Sequence, residues 1–419
     1  MPDLGGDAGL TPACVNLECD RSACDEGRHT TVSGVVYDPA GQMPLYNAIV
    51  YVPNSPLQPF PAGVSCDHCG TLASGDPIVV ALTDEQGRFV LKDVPAVDNL
   101  PVVIQVGRWR REISVDHVAL CEDTPIPAEL THLPRNHREG NIPLYAVVTG
   151  GFDPLECLMR KIGIDDEEFT GGSGDGRVHL YRGVHGGGVK SSQDSLALYP
   201  QLDRYDAVLL ACEGETYPQN KPYDATYAML HYLDRGGRVY ASHFQYYWFA
   251  PFPDGAGVTP LPSAAVWDQR APISDDVYAQ VDTSFPKGMA YFNWLSHAGA
   301  IGSDGLMIVT EARKDISAAV AGVSQAWVHT DTRRYDPRAM ELLTFNTPVH
   351  APPETQCGRV VFSDMHVASD DMTGQTFPTG CVTKGLTSQE KALEFMIFDL
   401  SSCVKQDALP PIPPSVPLK

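Results

Sequence analysis

The stretch Gly236-Gly237-Arg238-Val239-Tyr240-Ala241-Ser242-His243-Phe244-Gln245-Tyr246-Tyr247-Trp248 decides how the larger part of the chain is read. A glycine pair closes a helical segment. A short apolar run follows, and the chain then delivers Ser242 and His243 into an aromatic segment. Apolar runs set between helices are the buried strands of a parallel sheet. In open α/β sheets, ligands collect outside the carboxyl ends of the strands. This strand end is therefore expected at the centre of the larger domain.

Two other apolar runs end in polar groups. Tyr205-Asp206-Ala207-Val208-Leu209-Leu210-Ala211-Cys212 leads into Glu213-Gly214-Glu215, and Gly358-Arg359-Val360-Val361-Phe362-Ser363 leads into Asp364-Met365-His366. If these strands run parallel, Glu213, Ser242, His243, Asp364 and His366 share one rim. Helices are expected over Leu155 to Ile162, Ala225 to Leu233, and from the capping box Thr387-Ser388-Gln389-Glu390 to about Ser402. The loop Thr149-Gly150-Gly151-Phe152-Asp153-Pro154 lacks the P-loop lysine and the full dinucleotide spacing, so nucleotide binding is not expected. Residues 250 to 305 are aromatic and Pro-rich and read as an irregular lid. Met307 to Val309 and Ala318 to Val328 are not assigned.

Before residue 142 the pattern differs. Thr31-Val32-Ser33-Gly34-Val35-Val36-Tyr37, Asn47-Ala48-Ile49-Val50-Tyr51-Val52, Arg88-Phe89-Val90-Leu91 and Pro101-Val102-Val103-Ile104-Gln105-Val106 are short β-like runs. Between them lie turns such as Asp38-Pro39-Ala40-Gly41, where Pro presets φ and Gly supplies a positive φ. Several short strands with turn signals predict a β-sandwich. The expected fold is thus multidomain, a small antiparallel β-sandwich followed by an α/β domain with a mostly parallel sheet. The divisions are a Cys-containing arm (1–28), the sandwich (29–120), a linker (121–141), the α/β domain (142–404) and a Pro-rich, disordered tail (405–419).

Composition narrows the partners. The 419 residues carry a formal net charge of -22, with no basic cluster, which excludes a nucleic-acid partner. No apolar run is long enough to span a bilayer. Eleven cysteines, several in Gly- and Asp-rich surroundings, predict an extracellular, periplasmic or cell-surface protein with disulfides. Its leader, with any lipid anchor, is expected to have been removed. The odd count leaves one thiol unpaired or intermolecular. Cys14, Cys19 and Cys24 read as a disulfide-tethered arm. Cys66-Asp67-His68-Cys69 reads as a structural disulfide, with half a zinc site as its rival. Two of Cys357, Cys381 and Cys403 are expected to pair.

Two resemblances add to this reading. Ser33-Gly34-Val35-Val36-Tyr37-Asp38, Ala48-Ile49-Val50-Tyr51-Val52 and Thr83-Asp84-Glu85-Gln86-Gly87-Arg88-Phe89 with Val94-Pro95 resemble the carboxypeptidase regulatory-like domain. That implies a transthyretin-like sandwich without catalysis. The strand-helix rhythm of residues 142–403, with Gly-Gly-Arg-Val-Tyr-Ala-Ser-His and Gly-Arg-Val-Val-Phe-Ser-Asp-Met-His, resembles the class I glutamine-amidotransferase-like fold, nearest its trehalose-utilisation branch. True amidotransferases place a cysteine at the strand-end elbow. Here Ser242 or His243 stands there, so glutaminase activity is not expected. The whole chain resembles bacterial surface proteins that join these two domains, which implies location rather than chemistry.

Three functions follow for the rim. It is a degenerate amidotransferase-like module that binds a small-molecule, glycan or peptide ligand, with Phe244 to Phe252 suited to stacking. Or it is a hydrolase, with Ser242 as nucleophile, His243 or His366 as base, and Glu213 or Asp364 orienting that base. Or it is a metal-dependent enzyme whose divalent metal is held by His243, His366 and a carboxylate such as Glu213 or Asp364.

Overall fold

A computed structural model describes residues 14–67, 73–251, 259–268, 276–331, 333–334, 339–367 and 370–416. Strands β1 to β7 comprise Thr31–Val35, Ile49–Val52, Val79–Leu82, Arg88–Lys92, Asp98–Val106, Trp109–His117 and Asp123–Pro125. They form a three-stranded sheet, β4-β1-β7, and a four-stranded sheet, β3-β2-β5-β6. Alternation sets the faces: in β4, Phe89 and Leu91 are buried while Arg88, Val90 and Lys92 point out. Phe89 and Leu91 share a core with Val50, Val102 and Ile104 of the other sheet. The pairing is not wholly antiparallel, because β1 and β7 run parallel.

The second part contains β8 (Tyr145–Thr149), α1 (Leu155–Lys161), β9 (Phe169–Thr170), β10 (Val178–Arg182), β11 (Gln193–Asp194), β12 (Ala207–Leu210), α2 (Tyr223–Asp234), β13 (Arg238–Ser242), β14 (Ala265–Trp267), β15 (Val277–Val281), α3 (Pro286–His297), β16 (Met307–Val309), β17 (Ile316–Ala319), β18 (Ser324–Thr330), β19 (Met340–Thr347), β20 (Gly358–Ser363) and α4 (Ser388–Ser401). The large sheet has the order β11-β10-β8-β12-β13-β20-β19-β18-β15-β16, with β9 beside β10. Strands β8, β12 and β13 are buried throughout, because both faces are covered. Tyr145 and Val147 pack into the layer of α1, α3 and α4, and Ala146 and Val148 into the layer of α2. The capping box at Thr387 and Glu390 starts α4 as expected.

The sheet is mixed rather than mostly parallel. From β11 to β20 the pairs are parallel, but β20-β19-β18-β15-β16 is an antiparallel run. The links from β18 to β19 and from β19 to β20 are shorter than the dozen or so residues a parallel crossover needs. The described residues of the expected lid are also more ordered than its composition suggests. They contribute β15 to the sheet, and Pro286 opens α3, where a missing N–H costs nothing.

Disulfides join Cys14 to Cys19, Cys24 to Cys121, Cys66 to Cys357 and Cys157 to Cys381, and Cys403 is disulfide-bonded as well. The arm is tethered as expected. Cys357 and Cys381 do not pair within the last segment; their partners come from the sandwich insertion and from α1. His68 and Cys69 lie outside the described residues. Among the described residues Cys212 is the free thiol. These bridges fit an exported protein. Among the described residues no helix is long and apolar enough to cross a membrane.

The two parts share one core. Trp294 donates its indole N–H to the Pro44 carbonyl at 2.6 Å. Nearby, Asp38 of the sandwich and Glu394 of α4 are both buried. Burial and the Asp38 charge push Glu394 well above the carboxylate range, and burial raises Asp38 to about 6. Groups with raised folded values stabilise fully only below their unfolded values of about 4, and the contribution is lost as pH rises through the folded ones. Stability should therefore fall from about pH 4 towards neutrality, and Glu394→Gln should flatten that fall in denaturation curves taken across pH.

The start of the tail is anchored. Asp407 is buried and meets Arg359 at 2.8 Å, Lys287 at 2.9 Å and Thr344 at 2.6 Å. Burial would raise its pKa, but Arg359 and Lys287 hold it below the usual range. Asp407→Ala would leave buried cations short of a partner, and should cost about 3–5 kcal/mol in urea unfolding.

Candidate functional site

Strands β12, β13 and β20 are adjacent, and their register aligns Leu210 with Ala241, and Ser242 with Ser363. The next residues, Cys212, His243 and Asp364, therefore emerge side by side. His243 takes a positive φ of 42°, a conformation that costs a side-chain-bearing residue of order 1–3 kcal/mol and collects at functional sites. The turn carries its imidazole back over the rim, 5.4 Å from that of His366 between ring centroids.

Two groups of side chains converge there. The metal-ligating atoms of Cys212, His243 and His366 all lie within 4.8 Å of one another, as do those of His243, Asp315 and Asp364. All five residues are buried. His243 Nδ1 lies 2.6 Å from Asp315 Oδ2. Burial, and then Arg313, lower the His243 pKa to about 3, so the ring is neutral and donates Nδ1–H to the carboxylate. Asp364 Oδ2 accepts the Asp315 backbone N–H at 2.8 Å. Burial raises Asp315 to about 6 and pushes Asp364 well above the usual range, with the Asp315 charge adding to it.

Several of these groups lack hydrogen-bond partners among the described residues. Both ring nitrogens of His366, Asp364 Oδ1 and both carboxylate oxygens of Glu341 are unpaired. Each of these residues is at most 1% exposed. Glu341 sits on β19 beside Asp364, whose N–H bonds to the Glu341 carbonyl at 2.9 Å. An unpaired buried polar group costs about 1–3 kcal/mol, so a cluster of them marks a place built to hold something.

Ser242 and Glu213 point elsewhere. Ser242 is fully buried, and its hydroxyl donates to Asp153 Oδ2. That carboxylate also takes the Cys212 backbone N–H at 3.2 Å, and its Oδ1 takes the Val367 N–H at 2.8 Å. Ser242 thus has a carboxylate partner where a serine nucleophile needs an imidazole. Glu213 is bound by Lys221 Nζ, by Gln245 Nε2 at 3.3 Å and by the Val184 N–H at 2.8 Å, outside both converging groups. Tyr246, Tyr247, Trp248 and Phe249 are buried, so this part of the aromatic segment packs the sheet instead of offering a stacking platform. Phe252 lies outside the described residues.

A cleft of about 600 Å³ opens beside the rim, lined by Gly151, Phe152, Lys161, Glu311 and Val367 among others. Val367 follows His366 directly, and Phe152 precedes Asp153. A hollow of about 680 Å³, lined by Phe60, Arg177 and Asp206 among others, lies at the opposite edge, where β8 and β12 begin.

Sequence reasoning missed Asp153, Asp315 and Glu341. Asp153 stands just beyond the end of β8, a fourth parallel strand to which the rim rule applies equally. Glu341 interrupts the otherwise apolar Met340-Glu341-Leu342-Leu343. Asp315 follows Glu311-Ala312-Arg313-Lys314, which has no strand pattern to place it.

No family model matches the chain, and no curated protein does. Among solved structures it is similar to a ThuA-like protein of Bacteroides uniformis, at 10% identity over 61% of this chain and 89% of that one, with a TM-score of 0.33. Two type II cohesin–X-dockerin interface mutants of Acetivibrio cellulolyticus match 32% of this chain. Their identities are 17% and 18%, with 71% and 85% of their own chains covered and TM-scores of 0.17 and 0.18. Overlays this partial leave function to the geometry.

If Ser242 is a tether, Ser242→Ala should lower stability by about 1–3 kcal/mol by taking one donor from Asp153, and weaken metal binding far less than loss of a ligating side chain does. Denaturation curves and elemental analysis of the variant check this.

Proposed function

We propose that the α/β domain is a ligand-binding module of an exported protein, and that it holds a divalent metal between His243 and His366 at the carboxyl ends of its parallel strands. The observation that carries this reading is His366: buried, with both ring nitrogens unpaired, and close to a second neutral imidazole. Neutral imidazole is the form that binds metal. Further donors stand ready in Cys212 and in the Asp315–Asp364 pair. The cleft beside the rim accepts a small polar ligand, and its lysines and carboxylates give that ligand hydrogen bonds.

The run of parallel strands with Ser242-His243 at its elbow supports the amidotransferase-like reading of residues 142–403, with the nucleophile position turned to another use. The disulfides support export, and the two small sheets with a shared core support an accessory role for the sandwich. Catalysis by Ser242 draws no support from its contacts.

Elemental analysis of the full chain after dialysis should find bound zinc, iron or copper. Chelation should then lower the melting temperature, since a metal at 100 times its Kd adds about 2.7 kcal/mol. His366→Ala should lose both the metal and the effect of chelation. Metal-free protein that takes up none of these ions on titration would remove this reading.

A further inference from the structure

The metal reading leaves open which donors join the two imidazoles, and the geometry selects among them. We propose that Cys212, His243 and His366 form a thiolate–bis-imidazole site for Zn²⁺, with Asp315 orienting His243 and a fourth position left for a ligand. This rests on the metal reading above and goes beyond it in naming the ligand set and the metal class.

Four observations converge. First, ligating atoms of the three side chains already lie within 4.8 Å of one another. With Zn–S near 2.3 Å and Zn–N near 2.0–2.1 Å, tetrahedral donors stand roughly 3.3–3.6 Å apart, so a small contraction closes the set. Secondly, His366 is 1% exposed with both ring nitrogens unpaired among the described residues, so either nitrogen is free to ligate. Thirdly, Cys212 is the free cysteine among the described residues of a disulfide-bonded protein. Fourthly, His243 Nδ1 is engaged by Asp315 at 2.6 Å, which leaves Nε2 for the metal. A carboxylate behind a ligating histidine fixes the ring and raises its basicity.

The rival set, His243 with Asp315 and Asp364, includes both partners of this same Nδ1 contact. At 2.6 Å the two atoms are already hydrogen-bonded, and Asp364 Oδ2 is held by the Asp315 N–H. A thiolate with two imidazoles suits zinc and copper, and disfavours magnesium and calcium. Three protein ligands with one position open is the arrangement of zinc sites that take a ligand. On binding, the Sγ–H bond gives way to an Sγ–Zn bond and the proton passes to solvent.

The test uses the full chain, stripped with a chelator and reloaded with Zn²⁺ or Co²⁺. One equivalent of zinc is expected, and the cobalt form should show a thiolate-to-cobalt charge-transfer band in the near ultraviolet. Cys212→Ser should abolish that band and weaken zinc at least 100-fold, while circular dichroism confirms that the variant is folded. Asp315→Asn should keep the band and weaken zinc 10- to 100-fold, the usual effect of losing a partner behind a ligand. A metal-loaded protein without the band, with Cys212→Ser binding zinc as tightly as the parent, would overturn this ligand set and leave the metal reading intact. Uptake of neither ion would overturn both.

Discussion

One carboxylate holds the rim together. Asp153, at the end of the first parallel strand, accepts the hydroxyl of Ser242, the backbone N–H of Cys212 and the backbone N–H of Val367. It therefore binds the ends of β12, β13 and β20 to that of β8. Parallel strands are joined only by long crossovers, so nothing local fixes how far each chain end runs past the sheet. A buried acceptor shared by three donors does fix it, because each donor left unpaired there would cost about 1–3 kcal/mol. Cys212, His243 and His366 owe their convergence to this tie. The Cys157–Cys381 bridge adds a covalent one, joining α1 to the segment beyond His366.

Asp153 also separates two kinds of polar group that look alike in the sequence. Ser242 and Glu213 stand at strand ends and are buried, yet each is satisfied: Ser242 by Asp153, and Glu213 by Lys221 and Gln245. They belong to the frame. His366, Asp364 and Glu341 are equally buried and are left with unpaired atoms. Burial alone therefore does not distinguish a working residue from a structural one. The distinction lies in whether the protein itself supplies the partner.

The rim was legible because its cause is regional. Strands with buried runs of β-branched and aliphatic residues, separated by helices, declare a parallel sheet, and the polar residue after each run declares the edge. What was not legible depends on pairings across long separations. Asp153 lies 89 residues from Ser242 and 214 from Val367, and Asp315 lies 72 from His243. No period or spacing encodes such contacts. The pairing expected within the last segment failed for the same reason, since Cys66 and Cys357 are 291 residues apart. The antiparallel half of the sheet was hidden by composition: β15, β16 and β18 are short or interrupted by polar residues. Asp407 was hidden in a Pro-rich tail whose bias suggests disorder, although one acid there neutralises two buried cations.

The choice between a proton and a metal at the rim is a choice between two ways of neutralising it. Asp315, Asp364 and Glu341 are buried together, and three carboxylates at such a distance cannot all stay ionised in a medium of low polarity. Protons can neutralise them one by one, and the raised values of all three show that burial drives them that way. Protons do nothing for His366, however, because an imidazolium with no acceptor would be worse placed than the neutral ring. Burial lowers its pKa accordingly; Asp153 opposes this and Arg313 adds to it. The acidic half of the cluster can be satisfied by hydrogen ions alone; the lone-pair nitrogen of His366 needs a donor or an electrophile from outside the described residues. A cation bound at the nitrogen side does this, and its charge also favours the carboxylate behind His243.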